Sequence, residues 1–450
     1  MSLLNILERW LVSRAAETIK RERPLVIAIT GTVGKSTTKR AIAALLNADD
    51  PVTSKTRVSP KSYNNDLGVA LTVFGHEAPG RSFLAWWRLL STAWCISHGW
   101  RSTGIRTFVF EMAADHPGDL ARLVAIAPPD VAVITAVTPE GDSIAPVHLT
   151  NYSSVQALTE EKATLVKALK SNGTAILNMD DPRVFAMRHL TAAPIITFGS
   201  VDGAEVRLIR VQVLTEENEY GRVPTGLEIQ LESLNRLRTL RIQGVFGTPI
   251  AFAVAAAVTV GVALDLGLDP IQDLPNHFHP LPGRTRMISG IKHTTLLDDT
   301  YNASPAAVLS AIRDLATMPL LESQRRIVCL GEMRELGDQS QGMHRLVGSE
   351  AAKRGIDFFV ACGTLAPAMV EGALANGMKE EQIKIFDDTP EAAEFLREWI
   401  RPGDVILAKA SEGRLDSKGV RMERVIKALM LEPQRASELL VRQEAAWKRR

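Results

Sequence analysis

The sequence from residue 25 to residue 37 reads Leu25-Val26-Ile27-Ala28-Ile29-Thr30-Gly31-Thr32-Val33-Gly34-Lys35-Ser36-Thr37. Its first five residues are apolar, which is typical of a buried strand, and a helix-compatible run follows from residue 38 to residue 46. Glycines in the connecting turn let backbone N–H groups approach an oxyanion, and the start of the helix adds a positive field. The stretch predicts a phosphate-binding turn for a nucleoside triphosphate; the alternative is an ordinary strand-to-helix turn.

The turn suggests roles for individual side chains. We expect Lys35 to reach the terminal phosphates and the hydroxyl of Ser36 or Thr37 to ligate Mg²⁺. The commoner, longer form of this motif would have glycine at position 29, where this chain has Ile29, so the turn is a shorter variant. The expected nucleotide contacts from this stretch are Gly31, Thr32, Gly34, Lys35, Ser36 and Thr37.

Composition limits the class of protein. A chain of 450 residues is too long for one ordinary core, so two domains are expected. A net charge of +1 gives no electrostatic basis for binding nucleic acid, and three widely separated cysteines suit a reducing cytoplasm. We therefore expect a cytoplasmic monomer that acts on small molecules.

Two apolar segments could meet a membrane or a partner. Residues 1–11 have a helical apolar rhythm interrupted by charges, which favours an amphipathic helix over a signal peptide. Residues 83–100 contain four tryptophans around Arg88 and His98, and these polar interruptions argue against a membrane span. We interpret residues 86–100 as part of a helix that packs on its own domain, with surface contact to a membrane or a protein as the alternative.

Apolar runs at residues 107–111, 131–135 and 174–178 alternate with helical stretches, which predicts a mostly parallel sheet. Alternating residues from 204 to 244 predict antiparallel strands, followed by a helix over residues 251–264 and a proline-rich linker. Four further runs, at residues 295–299, 326–331, 358–363 and 404–409, predict a second, Rossmann-like sheet. The predicted fold class is α/β, divided into an N-terminal helix (1–23), an ATP-binding domain (24–283) and a C-terminal domain (284–450).

Two further residues follow predicted strands of the first sheet. Glu111 ends a strand, where its carboxylate could hold Mg²⁺; the alternative is a solvated strand end. His148 follows another strand, but a single histidine is more often structural than a metal ligand. The residues alone therefore support Glu111 more strongly than His148.

Several segments together resemble the Mur ligase family, and within it the branch that adds D-alanyl-D-alanine. Residues 30–37, 64–68 and 111–119 resemble the family's ATPase domain. Residues 282–284, 298–305 and 331–337, with His344, resemble its C-terminal domain. The resemblance extends from about residue 24 to about residue 430.

The resemblance implies roles for further residues. His148 and Lys162 match the family's interval of 14 residues between a histidine and a lysine carbamylated by CO₂, which help to hold a second Mg²⁺. In the C-terminal domain it implies that Arg284, Asp299 and Asn302 contact the nucleotide and that Lys409 lies near the incoming amine. The implied metal ligands are Ser36, Glu111, His148 and carbamylated Lys162, and the implied catalytic groups are Lys35, Lys162, His148 and Lys409.

The resemblance implies an ATP-dependent amide ligase that works through an acyl phosphate. The preferred reaction joins D-alanyl-D-alanine to UDP-N-acetylmuramoyl-tripeptide in peptidoglycan precursor synthesis. One alternative is the same chemistry on a free peptide or another carboxylate and amine, without a uridine nucleotide. Another is a non-catalytic nucleotide-binding partner of cell-wall enzymes.

The chain departs from the family pattern at four places. The phosphate-binding strand begins after about 23 residues, where family members carry a domain for the uridine nucleotide. Residues 248–250 and Ala253 replace the family's adenine-facing His-Asn and Asn. An insert around residues 139–142, with Thr150 in place of a common glutamate, alters the approach to His148, and a long insert covers residues 412–419.

Overall fold

The protein folds around two β-sheets, each with helices on both faces. The structure, a computed structural model, describes residues 3–50, 54–59, 63–80, 82–138, 141, 144, 151–412, 420–444 and 447. Apolar strands alternate with amphipathic helices along most of the chain, which is the pattern that packs helices on a largely parallel sheet. The predicted α/β class is confirmed.

The first sheet has nine strands among the described residues: β1 (Leu25–Thr30), β2 (Thr56–Val58), β3 (Thr107–Glu111), β4 (Val131–Ile134), β5 (Thr174–Asn178), β6 (Ile195–Gly199), β7 (Val206–Asn218), β8 (Gly221–Ser233) and β9 (Arg236–Gln243). Their order is β2-β3-β1-β4-β5-β6-β7-β8-β9. The pairs β7–β8 and β8–β9 are antiparallel and the others are parallel. The antiparallel strands predicted between residues 204 and 244 are therefore confirmed.

The helices around this sheet are α1 (Leu3–Glu22), α2 (Lys35–Leu45), α3 (Asp66–Phe74), α4 (Phe83–Ser97), α5 (Asp119–Ile126), α6 (Val155–Lys167), α7 (Pro182–Ala186), α8 (Thr248–Ala263) and α9 (Asp269–His277). One face of the sheet packs on α1, α3, α4, α5 and α6, for example through Leu11 and Leu120. The other face packs on α2 and α8 through Ile42 and Val254. Because both faces are covered, the central strands are apolar throughout.

The second sheet is built from β10 (Arg286–Ser289), β11 (Thr295–Asp299), β12 (Arg326–Leu330), β13 (Phe358–Cys362), β14 (Ile383–Phe386) and β15 (Val405–Lys409), in the order β10-β11-β15-β12-β13-β14. Its helices are α10 (Pro305–Ala316), α11 (Ser340–Lys353), α12 (Ala366–Leu374), α13 (Thr389–Trp399), α14 (Glu423–Leu429) and α15 (Ala436–Leu439). The four predicted runs form its parallel centre, and β10 and β14 extend it at the two edges.

A buried glutamine joins the two sheets. Gln324 precedes β12, and its amide oxygen accepts a hydrogen bond from Arg222 N at 2.9 Å. Its amide nitrogen donates to Arg222 O at 3.0 Å and to Gly403 O at 2.8 Å. Because Arg222 follows the tip of the β7–β8 hairpin, this side chain fixes the hairpin against the start of the second sheet.

The predicted proline-rich linker is wrong in part. Residues 269–277 form α9, which begins at Asp269-Pro270 and contains Pro275. Proline is compatible with the first turn of a helix, and the buried side chains of Ile271 and Leu274 stabilise this one against α2 and α8. The predicted domain limits at residues 23 and 283 stay predictions. No helix within the described ranges is long and apolar enough to cross a membrane.

Candidate active site

The phosphate-binding turn joins β1 to α2 and is fixed to the end of β4. Gly31 and Gly34 have φ values of 151° and 88°, in the region that glycine favours. A Cβ atom on Gly31 would collide with the Thr135 hydroxyl. Thr32 N donates to Ala136 O at 2.7 Å, and the Thr135 hydroxyl donates to Val33 O at 2.6 Å. These contacts fix the conformation of the turn at the carboxyl edge of the sheet.

Lys35 is the first residue of α2 and lies inside this turn. Its amine donates to Gly31 O at 2.8 Å. Burial lowers the pKa of the amine, while the carboxylates of Glu111 and Asp115 oppose that change and the charge of Arg284 adds to it. The structure therefore brings the predicted phosphate-binding lysine close to one cation and two carboxylates.

Glu111 ends β3 beside the same turn and is buried. Ser36 Oγ donates to Glu111 Oε1 at 3.0 Å, and Lys39 Nζ lies 3.3 Å from Oε2. Burial alone would raise the pKa of Glu111, but the charges of Lys39, Lys35 and Arg284 outweigh it and lower the pKa. The carboxylate is consequently ionised at neutral pH.

These residues fit a magnesium ion. Oε2 of Glu111 is buried and has no hydrogen-bond partner among the described residues, although Lys39 forms an ion pair with it. Mg²⁺ prefers one or two carboxylates together with a hydroxyl, substrate phosphates and water. Within the same described residues there is no group of three or more His, Cys, Asp or Glu side chains that could hold a metal alone. A site that combines Ser36 and Glu111 with phosphate oxygens suits this chemistry.

Lys39 was missed in the sequence, where it reads as an ordinary polar residue of a helix. Its side chain is buried, and its amine also contacts the Ser59 hydroxyl at 3.2 Å. Its position four residues after Lys35 places it one helical turn further along α2. That spacing is the only sequence signal that connects it with the turn.

Lys162 lies on α6 and is 2% exposed. Burial, followed by the charge of Lys35, lowers its pKa well below the usual range, and Asp115 and Glu161 oppose this only in part. The neighbouring Glu161 accepts hydrogen bonds from Gly118 N at 2.9 Å and Leu120 N at 2.8 Å. Glu161 thereby fixes α6 to the start of α5.

A neutral amine is the form of lysine that reacts with CO₂, so the environment of Lys162 fits a carbamate. The new anion would lie near the positive charge of Lys35. His148, its expected partner, lies outside the described residues, as do residues 139–140, 142–143 and Thr150. Asp115, which the sequence presented only as part of a motif, acts electrostatically on both Lys35 and Lys162.

Arg284 reaches the cavity from the segment between the sheets. Gly283 N donates to Asp298 Oδ2 at 2.9 Å, and the Thr300 hydroxyl donates to Oδ1 at 2.6 Å. Burial raises the pKa of Asp298 to about 6. The guanidinium of Arg284 lies 4.0 Å from the Tyr301 ring centre. The Asp298 carboxyl therefore fixes the turn that carries Arg284.

Asp299 and Lys409 lie side by side at the ends of β11 and β15. Lys409 Nζ lies 2.5 Å from Asp299 Oδ2 and donates to Asn302 O at 3.0 Å. Thr285 N donates to the other Asp299 oxygen at 3.2 Å. The structure thus brings three of the predicted residues together and pairs the lysine with the aspartate.

One cavity of about 670 Å³ contacts both halves of the site. Most of the predicted site residues line this cavity. Lys162 does not line it, because its side chain is buried in the protein interior. Its lining includes Thr32, Gly34, Lys35, Ser36, Thr37, Glu111, Asp115, Arg284, Asp299, Asn302, Arg334, Lys409 and Trp447. The arrangement can hold a polyphosphate on the first sheet beside a second polar substrate on the other.

A second cavity, of about 210 Å³, lies at the start of α8. Thr248, Pro249, Phe252 and Ala253 line it together with Val33 and Gly34 of the phosphate-binding turn. The side chain of Asp314, from α10, accepts hydrogen bonds from Thr248 N at 3.1 Å and from the Thr248 hydroxyl at 2.6 Å. An acidic residue of the second sheet's layer therefore caps a helix of the first.

His344 has a structural role in the loop that lines the cavity. It is fully buried; its Nε2 accepts from Met333 N at 3.0 Å, and its Nδ1 lies 2.7 Å from Ser340 O. Arg334 N donates to the Ser411 hydroxyl at 3.1 Å. Of the long insert predicted over residues 412–419, residues 413–419 lie outside the described residues.

Comparisons with known proteins identify relatives of this chain. Residues 94–237 match the Mur ligase middle domain, and residues 283–412 match the Mur ligase glutamate ligase domain. The "UDP-N-acetylmuramoyl-tripeptide--D-alanyl-D-alanine ligase" of Mycobacterium bovis is 30% identical in an alignment of 417 positions that covers 86% of this chain and 70% of the relative. The protein of the same name from Mycobacterium leprae is 28% identical, with 86% and 71% covered.

A solved structure extends the similarity to the fold. The crystal structure of MurF ligase from Thermotoga maritima in complex with ADP matches with a TM-score of 0.73 and 25% identity. The match covers 95% of this chain and 84% of that one. Both sheets are therefore shared with an enzyme that binds a nucleotide.

Proposed function

This chain belongs to the Mur ligase family and is an ATP-dependent ligase that forms carbon–nitrogen bonds, and we propose that it joins D-alanyl-D-alanine to UDP-N-acetylmuramoyl-tripeptide. The observation that carries the proposal is the similarity, over 86% of the chain, to relatives with that printed activity. The proposed reaction takes place in the larger cavity, where cations of both sheets converge.

The first step transfers the terminal phosphate of ATP to the substrate carboxylate. An oxygen of the carboxylate attacks the γ-phosphorus, the bond to the bridging oxygen breaks, and ADP leaves with an acyl phosphate behind. The charge of Arg284 lowers the pKa of Lys35, so the two side chains lie near each other and both can neutralise the phosphate oxygens. Mg²⁺ held by Ser36 and Glu111 would supply further charge neutralisation at these oxygens.

The second step forms the amide bond. The amine nitrogen attacks the acyl carbon, the bond from carbon to the phosphate oxygen breaks, and inorganic phosphate leaves with the proton that the amine loses. We place the amine substrate near Lys409, Asn302 and Arg334, on the side of the cavity that belongs to the second sheet. The ion pair with Asp299 holds the Lys409 amine in place at this point.

For the base of the nucleotide we propose the smaller cavity. It adjoins the phosphate-binding turn, and Pro249 and Phe252 offer apolar surface to a flat ring. Thr248, Pro249 and Ile250 replace the expected adenine-facing side chains, so hydrogen bonds to the base would come from other groups such as Asn178 and Asp180. This change predicts weaker discrimination among purine nucleotides.

The test measures phosphate release by purified protein with ATP, Mg²⁺ and D-alanyl-D-alanine, and determines the mass of the product. UDP-N-acetylmuramoyl-tripeptide is compared with the same tripeptide without its nucleotide sugar. Turnover of the nucleotide-linked tripeptide alone supports the proposal. Turnover of the free tripeptide at equal efficiency would overturn it and would identify a peptide without the nucleotide sugar as the substrate. Lys35→Ala purified in the same way serves as the control, because phosphate that both preparations release without amide product would come from a contaminant.

A further inference from the structure

Five of the seven tryptophans of this chain lie on or next to α1 and α4. We call this surface the aromatic corner; it consists of Leu4, Ile6, Trp10, Phe83, Leu84, Trp86, Trp87, Trp94 and Trp100. Phe83, Trp87 and Trp100 are 85%, 61% and 74% exposed. Large exposed apolar groups concentrated in this way mark an interaction surface.

The corner is a firm part of the fold, because the opposite sides of both helices are buried. Leu11 of α1 and Leu89 and Ala93 of α4 lie in the core of the first sheet's layer. The rings of Trp10 and Trp94 stack at 6.4 Å, which joins the two helices at the surface. The exposed side chains therefore project from a rigid base.

The two helices run in the same direction. Trp10 contacts Trp94, and Glu22, the last residue of α1, accepts a hydrogen bond at 3.1 Å from Thr103 N, in the loop that follows α4. The exposed residues Leu4, Ile6, Phe83, Leu84 and Trp87 consequently belong to the N-terminal parts of both helices. They can meet one flat surface together.

Charge is strongly biased around α4. Residues 78–110 contain four arginines and no aspartate or glutamate, although the whole chain has a net charge of only +1. Arg88 and Arg101 are exposed beside the tryptophans. On α1, Arg9 follows Glu8, and Arg14 forms an ion pair with Glu17, so this helix adds little net charge. The surface is thus both aromatic and basic.

We propose that the aromatic corner docks on the surface of an anionic lipid bilayer. Tryptophan is enriched at membrane interfaces because its ring is apolar while its N–H group reaches the headgroups. Arginines next to such residues add attraction to anionic lipids. The helices lie on the membrane rather than in it, since no described helix can span one.

Charge also disfavours a second copy of this chain as the occupant. A symmetric dimer presents the same patch to itself, so Arg88 and Arg101 of both copies would be brought into one interface. Like charges at such an interface are unfavourable. An anionic bilayer complements these arginines and accepts the exposed rings at the same time.

The test is co-sedimentation of the full-length protein with phosphatidylcholine vesicles, with and without phosphatidylglycerol. We expect binding to the anionic vesicles, a blue shift of tryptophan emission, and weaker binding at high salt. The combined variant Phe83→Ser, Leu84→Ser and Trp87→Ser should bind at least about tenfold more weakly. Neutralising Arg88 and Arg101 by glutamine should cost about fivefold each.

Matched variants at another exposed site serve as controls. Leu234→Ser with Leu237→Ser removes two exposed leucines from the β8–β9 hairpin, and these changes should leave vesicle binding unchanged. Equal melting temperatures of the variants and the wild type exclude unfolding. If the wild type fails to bind anionic vesicles, or the triple variant binds as well as it does, the proposal is wrong. Self-association that depends on the corner, without vesicle binding, would identify a second copy as the occupant and also overturn it.

Discussion

The two sides of the large cavity are built in different ways. On the side of the first sheet, the pKa values of Lys35, Lys39, Lys162 and Glu111 are each altered by burial and by the charge of at least one of the others. On the second sheet, strand register places Lys409 beside Asp299 as an ion pair. On the first side the groups are coupled through their charges, whereas on the second side strand register alone sets where the side chains lie. Substitutions on the first side should therefore alter several groups at once.

The largest expected effect comes from Lys35. Lys35→Ala should reduce kcat/KM by about 10³, because the amine acts on charge that develops during phosphate transfer. The measurement is steady-state ligation with the proposed substrates. Arg40→Ala, on the same helix as Lys35, removes an ion pair with Asp49 in the turn after that helix and should change the rate less than about threefold. A variant at Lys35 with near wild-type turnover would show that the first side does not hold the phosphates.

Asp298 allows the second side to be tested through stability. Its pKa is 3.8 in the unfolded chain and about 6 in the folded protein, so the folded state favours the protonated form. Protonation of Asp298 therefore adds to the free energy of unfolding, by an amount on the order of 3 kcal/mol. This stabilisation is fully present below pH 3.8 and is lost as the pH rises through about 6.

The free energy of unfolding of the wild type, relative to Asp298→Asn, should consequently fall between pH 4 and pH 6 and stay constant at higher pH. Urea unfolding across this range measures the difference. Asp357→Asn, an exposed aspartate of the same sheet, is the control. A difference that does not vary with pH would mean that hydrogen bonds from Gly283 and Thr300 keep Asp298 ionised.

A smaller effect is expected when CO₂ is removed. If Lys162 is carbamylated, ligation in decarbonated buffer should fall about tenfold and recover when bicarbonate is added, since a metal ligand is lost and regained. Mass spectrometry under non-denaturing conditions should detect the adduct. Lys162→Gln should be insensitive to bicarbonate, whereas Lys167→Gln, on an exposed position of the same helix, should respond like the wild type. Equal rates with and without CO₂ would exclude the carbamate.

The smallest effect concerns the contact between the two sides. Asp314→Ala removes the acceptor for Thr248 N and its hydroxyl, and should destabilise the protein by about 1 kcal/mol. Urea unfolding gives this value, and Asp49→Ala, in the exposed turn after α2, provides the comparison. An unchanged free energy of unfolding would show that α8 is held by its apolar contacts alone.

Much of the fold could be predicted from the sequence because the strands of both sheets are short apolar runs between helical segments. The edge strands β2, β10 and β14 were missed, since runs of three or four residues give little periodicity. The helix α9 was missed because proline usually interrupts helices, yet Pro270 lies at its start.

The site was predictable only in part. Glycine spacing and a preceding strand identify Lys35 and Ser36, because phosphate binding by this turn depends on local backbone geometry. Lys39 and Asp314 could not be found in this way, since their roles arise from contacts with residues far away in the chain. Arg284, Asp299 and Lys409 were predicted from resemblance alone, and strand register explains the proximity of Asp299 and Lys409.

The cap on α8 also has a consequence for folding. This helix is the central apolar element on one face of the first sheet, yet the acceptor for its first N–H group belongs to α10. Gln324 makes a second connection of the same kind at the β7–β8 hairpin. Neither sheet layer completes its own polar contacts, so heat should unfold both layers in a single cooperative transition, and a fragment that ends before α10 should be less stable than the same residues within the whole chain.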